Sequence, residues 1–165
     1  MIQNSAEIIR MFLAADVKCL LIGGQAAIAH GVARVTFDVD FVYARDRENL
    51  QRIIDLLAPL HPYLRGAPPG LPFRLDMQTL RNGLNFTLTT DIGHIDLLGE
   101  VTGGGTYEEL LPFCGTVTHF GLQVPCTRLD KLIALKRAAG RPKDLEMLAE
   151  LEALREESSQ LPPTS

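Results

Sequence analysis

The stretch that decides the fold is LIGGQAAIAHGVARVTFDVDFVYA, residues 21–44. One apolar run ends at the pair Gly23-Gly24, a short helical pattern follows, and a second apolar run carries Asp38 and Asp40. The two acids alternate with apolar residues, which is the period of a β-strand with one buried face. The apolar residues of that face are Phe37, Val39 and Phe41. The pattern therefore predicts a strand, a glycine turn, a short helix and a strand with an acidic face.

This acidic face needs a cation. Asp38 and Asp40 lie on the same side of their strand, roughly 7 Å apart. Like charges held at that distance repel each other unless a cation lies between or beside them. Mg²⁺ fits because it takes oxygen ligands and shares itself between carboxylates and nucleotide phosphates, and Mn²⁺ is an alternative. Gly23 and Gly24 fit the same interpretation, because glycines before a helix let the backbone approach a phosphate closely.

A third acid occupies an equivalent position further along the chain. In HIDLLGE, residues 94–100, Asp96 alternates with Ile95 and Leu97, so it again faces away from the apolar side of a strand. Three acids on the polar faces of neighbouring strands could hold two metal ions. That arrangement suits in-line displacement at phosphorus, with pyrophosphate as the leaving group.

The whole sequence has the composition of an ordinary globular domain. The chain has 165 residues, of which 46% are hydrophobic and 22% charged, and its formal net charge is −4. This balance argues against a protein that binds nucleic acid mainly by a sequence-independent grip on phosphates. We expect a single domain over residues 1–157 and a flexible tail over residues 158–165.

The sequence gives no sign of secretion, of a membrane span or of a cysteine-based site. Charged residues interrupt the N-terminal apolar residues, and the longest stretch without Lys, Arg, Asp or Glu, residues 19–33, is shorter than a membrane span. We therefore expect a cytoplasmic protein without a membrane partner. The three cysteines are odd in number and show no metal-binding spacing, so neither a disulfide framework nor a zinc site is expected.

The remaining patterns alternate between helices and strands. Helical spacing predicts a first helix over residues 6–15, with Ser5 as its N-cap, and another helix over residues 45–60. A proline-rich segment, residues 61–78, is expected to be a surface loop. Two hairpins are expected to turn at residues 91–93 and 120–121, and two helices end the chain. The predicted fold class is α/β, with a small mixed β-sheet flanked by helices and a C-terminal helix pair.

These motifs resemble a known superfamily. IGG, followed by TFDVDFV and later by HIDLL, is similar to the pattern of the nucleotidyltransferases related to DNA polymerase beta. LDKLIALKRAAGRPKDLEML, residues 129–148, is similar to the C-terminal segment of AbiEii-type nucleotidyltransferase-like proteins, some of which are toxins of toxin–antitoxin pairs. The resemblance implies that Asp38 and Asp40 bind metal and that Asp96 completes the site and can act as a base. One departure is that Gly24 stands where many active members carry a serine whose hydroxyl touches a phosphate.

Four further residues are candidates for nucleotide binding. Arg34 and Thr36 precede the acidic strand, and Arg34 could meet a phosphate or make an ordinary surface ion pair. Lys136 and Lys143 lie in the C-terminal segment, where they could bind a nucleotide or simply form a basic helix end. Asp144, close to Lys143, is also a residue type favoured at a helix start.

The function expected from the resemblance is transfer of a nucleoside monophosphate from an NTP to a hydroxyl group, with Mg²⁺ as cofactor. The acceptor could be tRNA, a protein or a small molecule such as an antibiotic, and a toxin would have a cognate antitoxin as partner. Three alternatives stay open: a non-catalytic nucleotide- or partner-binding relative, a glycosyltransferase that uses Asp-x-Asp to hold Mn²⁺, and acids that are merely solvated on an edge strand. The glycosyltransferase needs a longer chain and is disfavoured.

Overall fold

The central feature of the computed structural model, which describes residues 3–36 and 38–160, is a mixed sheet of seven strands. These strands are β1 (Cys19–Ile22), β2 (Asp38–Tyr43), β3 (Tyr63–Leu64), β4 (Asn85–Thr90), β5 (Gly93–Leu98), β8 (Cys114–His119) and β9 (Leu122–Thr127). A separate small hairpin consists of β6 (Glu100–Val101) and β7 (Gly105–Thr106). The order across the sheet is β3-β4-β5-β2-β1-β9-β8 within the described residues. The pairs β2–β5 and β1–β9 are parallel and the others antiparallel, so the sheet is mixed as predicted.

Helices connect and cover these strands. They are α1 (Ser5–Ala14), α2 (Gly23–His30), α3 (Arg47–Leu57), α4 (Met77–Asn82), α5 (Tyr107–Leu110), α6 (Leu129–Ala139) and α7 (Pro142–Gln160), and two 3₁₀ turns cover Ala58–Leu60 and Leu111–Phe113. Helices α6 and α7 form the expected C-terminal helix pair and pack against each other. In the described ranges, no helix is long and apolar enough to cross a lipid bilayer.

The two faces of the sheet bury different clusters. The larger core contains the residues of β2 that alternate with the acids, and each of them is at most 1% exposed: Val39, Phe41 and Tyr43. On the opposite face Val42 joins a smaller apolar cluster with Leu20, Ile22, Leu110 and Leu135. The predicted strand also included Phe37, which lies outside the described residues. The alternation in the sequence therefore does separate a buried face from an acidic face.

A buried asparagine fixes the ends of β1 and β2. Asn49, on α3, is completely buried. Its Oδ1 accepts a hydrogen bond from the Lys18 backbone N–H at 2.7 Å, and its Nδ2 donates to the carbonyl oxygens of Ala44 at 2.7 Å and Lys18 at 3.0 Å. These bonds satisfy backbone groups where the strand pair ends, so α3 holds the strands that carry the acids.

Several local predictions need correction. The N-cap of α1 is Asn4 rather than Ser5, because the Asn4 Oδ1 accepts the Glu7 N–H at 3.1 Å. The Gly23-Gly24 pair does not form a turn before α2 but is its first two residues. The segment 61–78 is not a loop throughout, since it contains the two-residue strand β3. The tail was expected to begin at Ser158, but α7 continues through Gln160, and residues 161–165 lie outside the described part.

Candidate active site

Parallel pairing of β2 with β5 brings the three acids together. In this register Asp40 lies opposite Asp96, and Asp38 lies opposite His94. Antiparallel pairing of β5 with β4 continues the row from Asp96 to Thr87. Because paired positions on neighbouring strands are about 5 Å apart and project to the same face, the acids form one cluster.

Asp40 is the least solvated of the three acids. Its Oδ1 is buried and has no hydrogen-bond partner among the residues that the structure describes. Burial, together with the adjacent carboxylates of Asp96 and Asp38, raises the pKa of Asp40 to about 7, although Lys136 opposes the shift. A buried acceptor oxygen without a partner is costly, and such atoms in native structures commonly mark a place for a ligand or a proton.

The other two acids have partners that sequence reasoning did not find. The Arg65 Nη2 donates to the Asp96 Oδ1 at 2.8 Å, and the Arg65 Nη1 lies 3.8 Å from the Asp38 Oδ1. The His94 Nδ1 is 3.3 Å from the same Asp38 oxygen. Arg65 follows the short strand β3, inside the segment that was predicted to be a loop. A strand of two residues leaves no alternation to recognise, so the sequence carried little signal for this contact.

Gly23 is shaped by its contact with Asp40. Its φ angle is +71°, and a Cβ atom built on it would lie 2.1 Å from the Asp40 Oδ2. Both facts require glycine, because other residues are strained at this φ and any side chain would collide with the carboxylate. The start of α2, with its unpaired backbone N–H groups, therefore lies directly against the acidic cluster.

Gly24 is restricted by a different neighbour. A Cβ atom built on Gly24 would lie 2.9 Å from the Thr36 Oγ1 and 3.0 Å from the Thr36 Cβ. The Thr36 side chain thus fills the space that a serine side chain at position 24 would enter. This gives a physical reason for the departure from the serine of the family pattern: a hydroxyl is present at the start of α2, but it comes from residue 36.

Two cations of the C-terminal helix pair, Lys136 and Arg141, are held by a buried carboxylate. Asp144 is completely buried, and its oxygens lie 3.3 Å from the Lys136 Nζ and 2.6 Å from the Arg141 Nε. Burial by itself would raise the pKa of Asp144, but hydrogen bonds and charges from Arg141 and Lys136 outweigh it and hold the pKa below its ordinary value. Asp144 is therefore more than a helix-start acid, since it joins α6 to α7 at the site.

Arg34 has an ion-pair partner. Its Nη2 and Nε lie 2.6 Å and 3.0 Å from the Glu150 Oε1 on α7. Arg34 nevertheless lines a cavity of about 200 Å³ together with Gly24, Thr36 and the acids of β2. Its role in binding nucleotide stays a prediction.

All nine residues singled out in the sequence line two adjoining cavities. The first, of about 390 Å³, is lined by Gly23, Asp38, Asp40, Asp96, Lys136 and Lys143. The second, the 200 Å³ cavity, shares the two acids of β2 and both lysines and adds Gly24, Arg34 and Thr36. The fold thus places acids, a helix N-terminus and basic side chains around one cleft, which is the set of groups that a metal–nucleotide complex requires.

A larger and more open groove lies beside this cleft. It has a volume of about 740 Å³ and shares Asn85 and Val101 with the 390 Å³ cavity. Leu84 and Phe113 contribute apolar surface that is 40% and 46% exposed. The Lys131 Nζ lies 4.3 Å from the centre of the Phe113 ring. Sequence reasoning did not predict this groove, because its lining comes from segments far apart in the chain.

The three acids suit a divalent cation only as an incomplete ligand set. They offer carboxylate oxygens, one of them buried and unpartnered. Across residues 3–36 and 38–160, no group of three or more His, Cys, Asp and Glu side chains is arranged so that it could hold a metal ion. Mg²⁺ usually takes one or two protein carboxylates and completes its shell with water and phosphate, so an open set of this kind fits it.

Known structures share this architecture. The lincosamide antibiotic adenylyltransferase LnuA, in a lincomycin-bound crystal structure, matches 93% of this chain and 99% of its own with a TM-score of 0.62 and 15% sequence identity. The antibiotic-resistance factor ANT(2'')-Ia, solved in solution, matches 93% of this chain and 90% of its own with a TM-score of 0.54 and 17% identity. No protein-family model and no curated protein sequence matches the chain. The narrower resemblance to AbiEii-type proteins is not tested by these matches and stays a prediction. At the level of architecture, the chain has the nucleotidyltransferase fold.

Proposed function

We propose that this protein is a nucleotidyltransferase that moves a nucleoside monophosphate from an NTP to a hydroxyl group with the help of Mg²⁺ or Mn²⁺. One observation carries the proposal: Asp40 and Asp96 lie in register on parallel strands, and Asp40 lies directly against the start of α2. The likeness of the fold to LnuA and ANT(2'')-Ia is consistent with it.

The roles of the residues follow from their positions. Asp38, Asp40 and Asp96 would hold the metal, which when bound neutralises the charge of the triphosphate and of the departing pyrophosphate. Backbone N–H groups at Gly23 and Gly24 and the Thr36 hydroxyl would bind phosphate oxygens. Lys136, Lys143 and Arg34 would add positive charge in the 200 Å³ cavity that they line. Catalysis would come mostly from positioning and charge stabilisation.

The reaction balances without a further reactant. The acceptor oxygen forms a bond to the α-phosphorus, and the bond from that phosphorus to the oxygen that bridges to the β-phosphate breaks. The acceptor hydroxyl loses its proton to Asp96, and pyrophosphate leaves with the electron pair of the broken bond. Asp96 takes this role because the family resemblance gives it to the third acid, which lines the 390 Å³ cavity between Asp40 on β2 and Thr87 on β4.

A transfer assay tests the proposal. Purified protein is incubated with Mg²⁺, each radiolabelled NTP and a panel of acceptors comprising tRNA, total protein and aminoglycosides or lincosamides. Label transfer and pyrophosphate release should both occur in wild type and fall by at least about 100-fold in Asp40→Asn and Asp96→Asn, the scale of losing a charge-stabilising group. Asp55→Asn, an exposed acid on α3, is the matched control and should retain activity.

Calorimetry separates the enzyme from a non-catalytic relative. Under the proposal, NTP binds measurably only with Mg²⁺ or Mn²⁺ present. Equal binding with and without EDTA would leave a simple anion site at the start of α2. Metal-dependent binding without transfer to any acceptor would favour the non-catalytic, nucleotide-binding alternative.

For the acceptor, the 740 Å³ groove favours a small molecule over tRNA or a protein. Its volume suits a drug-sized ligand, and its lining combines apolar and charged groups at the border of the acidic cleft. Leu84→Ser should raise the KM for such an acceptor and leave the KM for NTP unchanged. An unchanged acceptor KM would place the acceptor elsewhere.

The toxin role with a cognate antitoxin, and the cytoplasmic location, stay predictions. Transfer of label to tRNA or protein in the panel above would favour the toxin.

A further inference from the structure

Arg65 is anchored more firmly than a surface arginine. Its backbone N–H donates to the Thr87 carbonyl at 2.9 Å, which extends the pairing of β3 with β4 by one residue. Its Nη2 donates to the Leu88 carbonyl at 2.7 Å as well as to Asp96. The side chain is only 22% exposed. Arg65 therefore lies across β4 with its guanidinium fixed over β5.

The guanidinium contacts the oxygens that a metal ion would need. It hydrogen-bonds to the Asp96 Oδ1 at 2.8 Å and lies 3.8 Å from the Asp38 Oδ1. It leaves the Asp40 Oδ1 without a partner within the part of the chain that the structure describes. The Arg65 Nε is likewise buried and unpartnered there. Thus Arg65 neutralises two of the three acids, but neither the arginine nor the acidic cluster is fully satisfied by this arrangement.

We propose that Arg65 competes with the divalent cation for Asp38 and Asp96, and so sets how tightly this protein binds its metal. The inference rests on the proposed function, because it assumes that these acids are metal ligands. A cation that binds Asp96 through Oδ1 must displace the guanidinium or accept a positive charge beside it, and either event weakens metal binding. When no divalent cation is present, the guanidinium relieves the repulsion between the strands.

A purely structural role for Arg65 predicts something different. In that case the arginine would serve to attach the edge strand β3 to the sheet through Thr87 and Leu88. Its removal would lower the melting temperature and leave the affinity for metal unchanged. Metal affinity, rather than stability, therefore distinguishes the two roles.

The test measures binding of Mn²⁺ alone, without nucleotide, by the loss of the free-ion signal in electron paramagnetic resonance. Arg65→Gln should lower the dissociation constant for Mn²⁺ by about tenfold, the size expected for removing a competing ionic hydrogen bond. Arg65→Lys should give an intermediate value, because one ammonium group cannot contact both acids in the same way. Arg74→Gln is the control, since Arg74 is an exposed cation of the same segment and interacts with Asp76.

The outcomes separate this inference from the proposed function. Tighter Mn²⁺ binding in Arg65→Gln, with Arg74→Gln equal to wild type, supports the competition. Equal affinity in Arg65→Gln and wild type overturns it and leaves the metal site intact, and equal tightening in both glutamine variants overturns it in favour of net charge. If Arg65→Gln does not fold, an affinity of Arg65→Lys equal to wild type overturns it. Absence of Mn²⁺ binding in every variant overturns the inference together with the metal part of the proposed function. A tenfold lower Mn²⁺ dissociation constant in Arg65→Gln, without nucleotidyl transfer by the wild-type protein, would overturn the proposed function alone.

Discussion

At the scale of single residues, the contact between Gly23 and Asp40 fixes where the carboxylate lies. We expect Gly23→Ala to destabilise the protein by about 2–5 kcal/mol and to abolish metal-dependent NTP binding. About 1–2 kcal/mol comes from the left-handed backbone, and about 1–3 kcal/mol comes from the Cβ atom that would lie 2.1 Å from the Asp40 Oδ2. Chemical denaturation and calorimetry measure the two effects.

Gly121 supplies a matched control for that substitution. Its φ angle of +74° is close to that of Gly23, but a Cβ atom built on it would meet nothing within 4 Å. Gly121→Ala should therefore show the backbone cost alone and leave NTP binding intact. If the two variants lose equal stability, Asp40 moves away freely and the contact does not constrain the site.

The pKa of Asp40 predicts a pH dependence of stability. Because the pKa is raised from 3.8 to about 7 in the folded protein, the folded state holds a proton that the unfolded state releases between those pH values. With divalent metal removed, this residue's contribution to the free energy of unfolding should fall as pH rises from about 4 to about 7 and then level off. Asp40→Asn should lack that fall, and urea titrations of both proteins between pH 4 and pH 8 measure it. Parallel pH profiles of the two proteins would contradict a raised pKa for Asp40.

At the scale of elements, the junction between α6 and α7 depends on Asp144. Its carboxylate is completely buried and holds Lys136 on one helix and Arg141 before the other. Asp144→Asn should destabilise the protein by about 3 kcal/mol, the lower end for breaking a buried ion pair, because Arg141 is 59% exposed and can turn to water. It should also weaken NTP binding, since Lys136 loses the partner that positions it.

An exposed pair between the same two helices provides the comparison. The Arg137 Nη2 lies 2.5 Å from the Glu152 Oε1, with the side chains 59% and 38% exposed. Glu152→Gln should change stability by less than about 1 kcal/mol, as exposed ion pairs do. Equal effects of Asp144→Asn and Glu152→Gln in thermal or urea melts would mean that Asp144 does not organise the junction.

At the scale of the whole molecule, metal binding should appear as stability, because the sheet holds together three acids that belong to two strands. At a free Mg²⁺ concentration about ten times the dissociation constant, linkage gives roughly 1.4 kcal/mol. For a domain of this size that is a rise of about 3–6 °C in melting temperature. Asp40→Asn should lose most of the rise and, without Mg²⁺, should be no less stable than wild type. Thermal melts with and without Mg²⁺ check both points, and an unstable variant that responds to Mg²⁺ like wild type would make Asp40 a structural acid.

The sequence by itself determined the local features of this protein. The alternation around Asp38 and Asp40, and again around Asp96, follows from the two-residue period of a strand, so it identified the acidic faces correctly. The hairpin turns at residues 91–93 and 120–121 likewise depend on residues close in the chain. These features rest on contacts between residues close in the chain, and short-range pattern is what a sequence displays.

Only the tertiary structure decided which of these features meet. Asp96 reaches Asp40 because β2 and β5 pair in parallel in one register, and Arg65 reaches both strands because β3 adds to the sheet edge. Asp144 is buried because α7 folds back on α6. Such pairings depend on how burial is shared among segments distant in the chain, and the pattern of a single segment does not encode them. The acids were therefore predictable as residues, whereas the arginine that faces them was not.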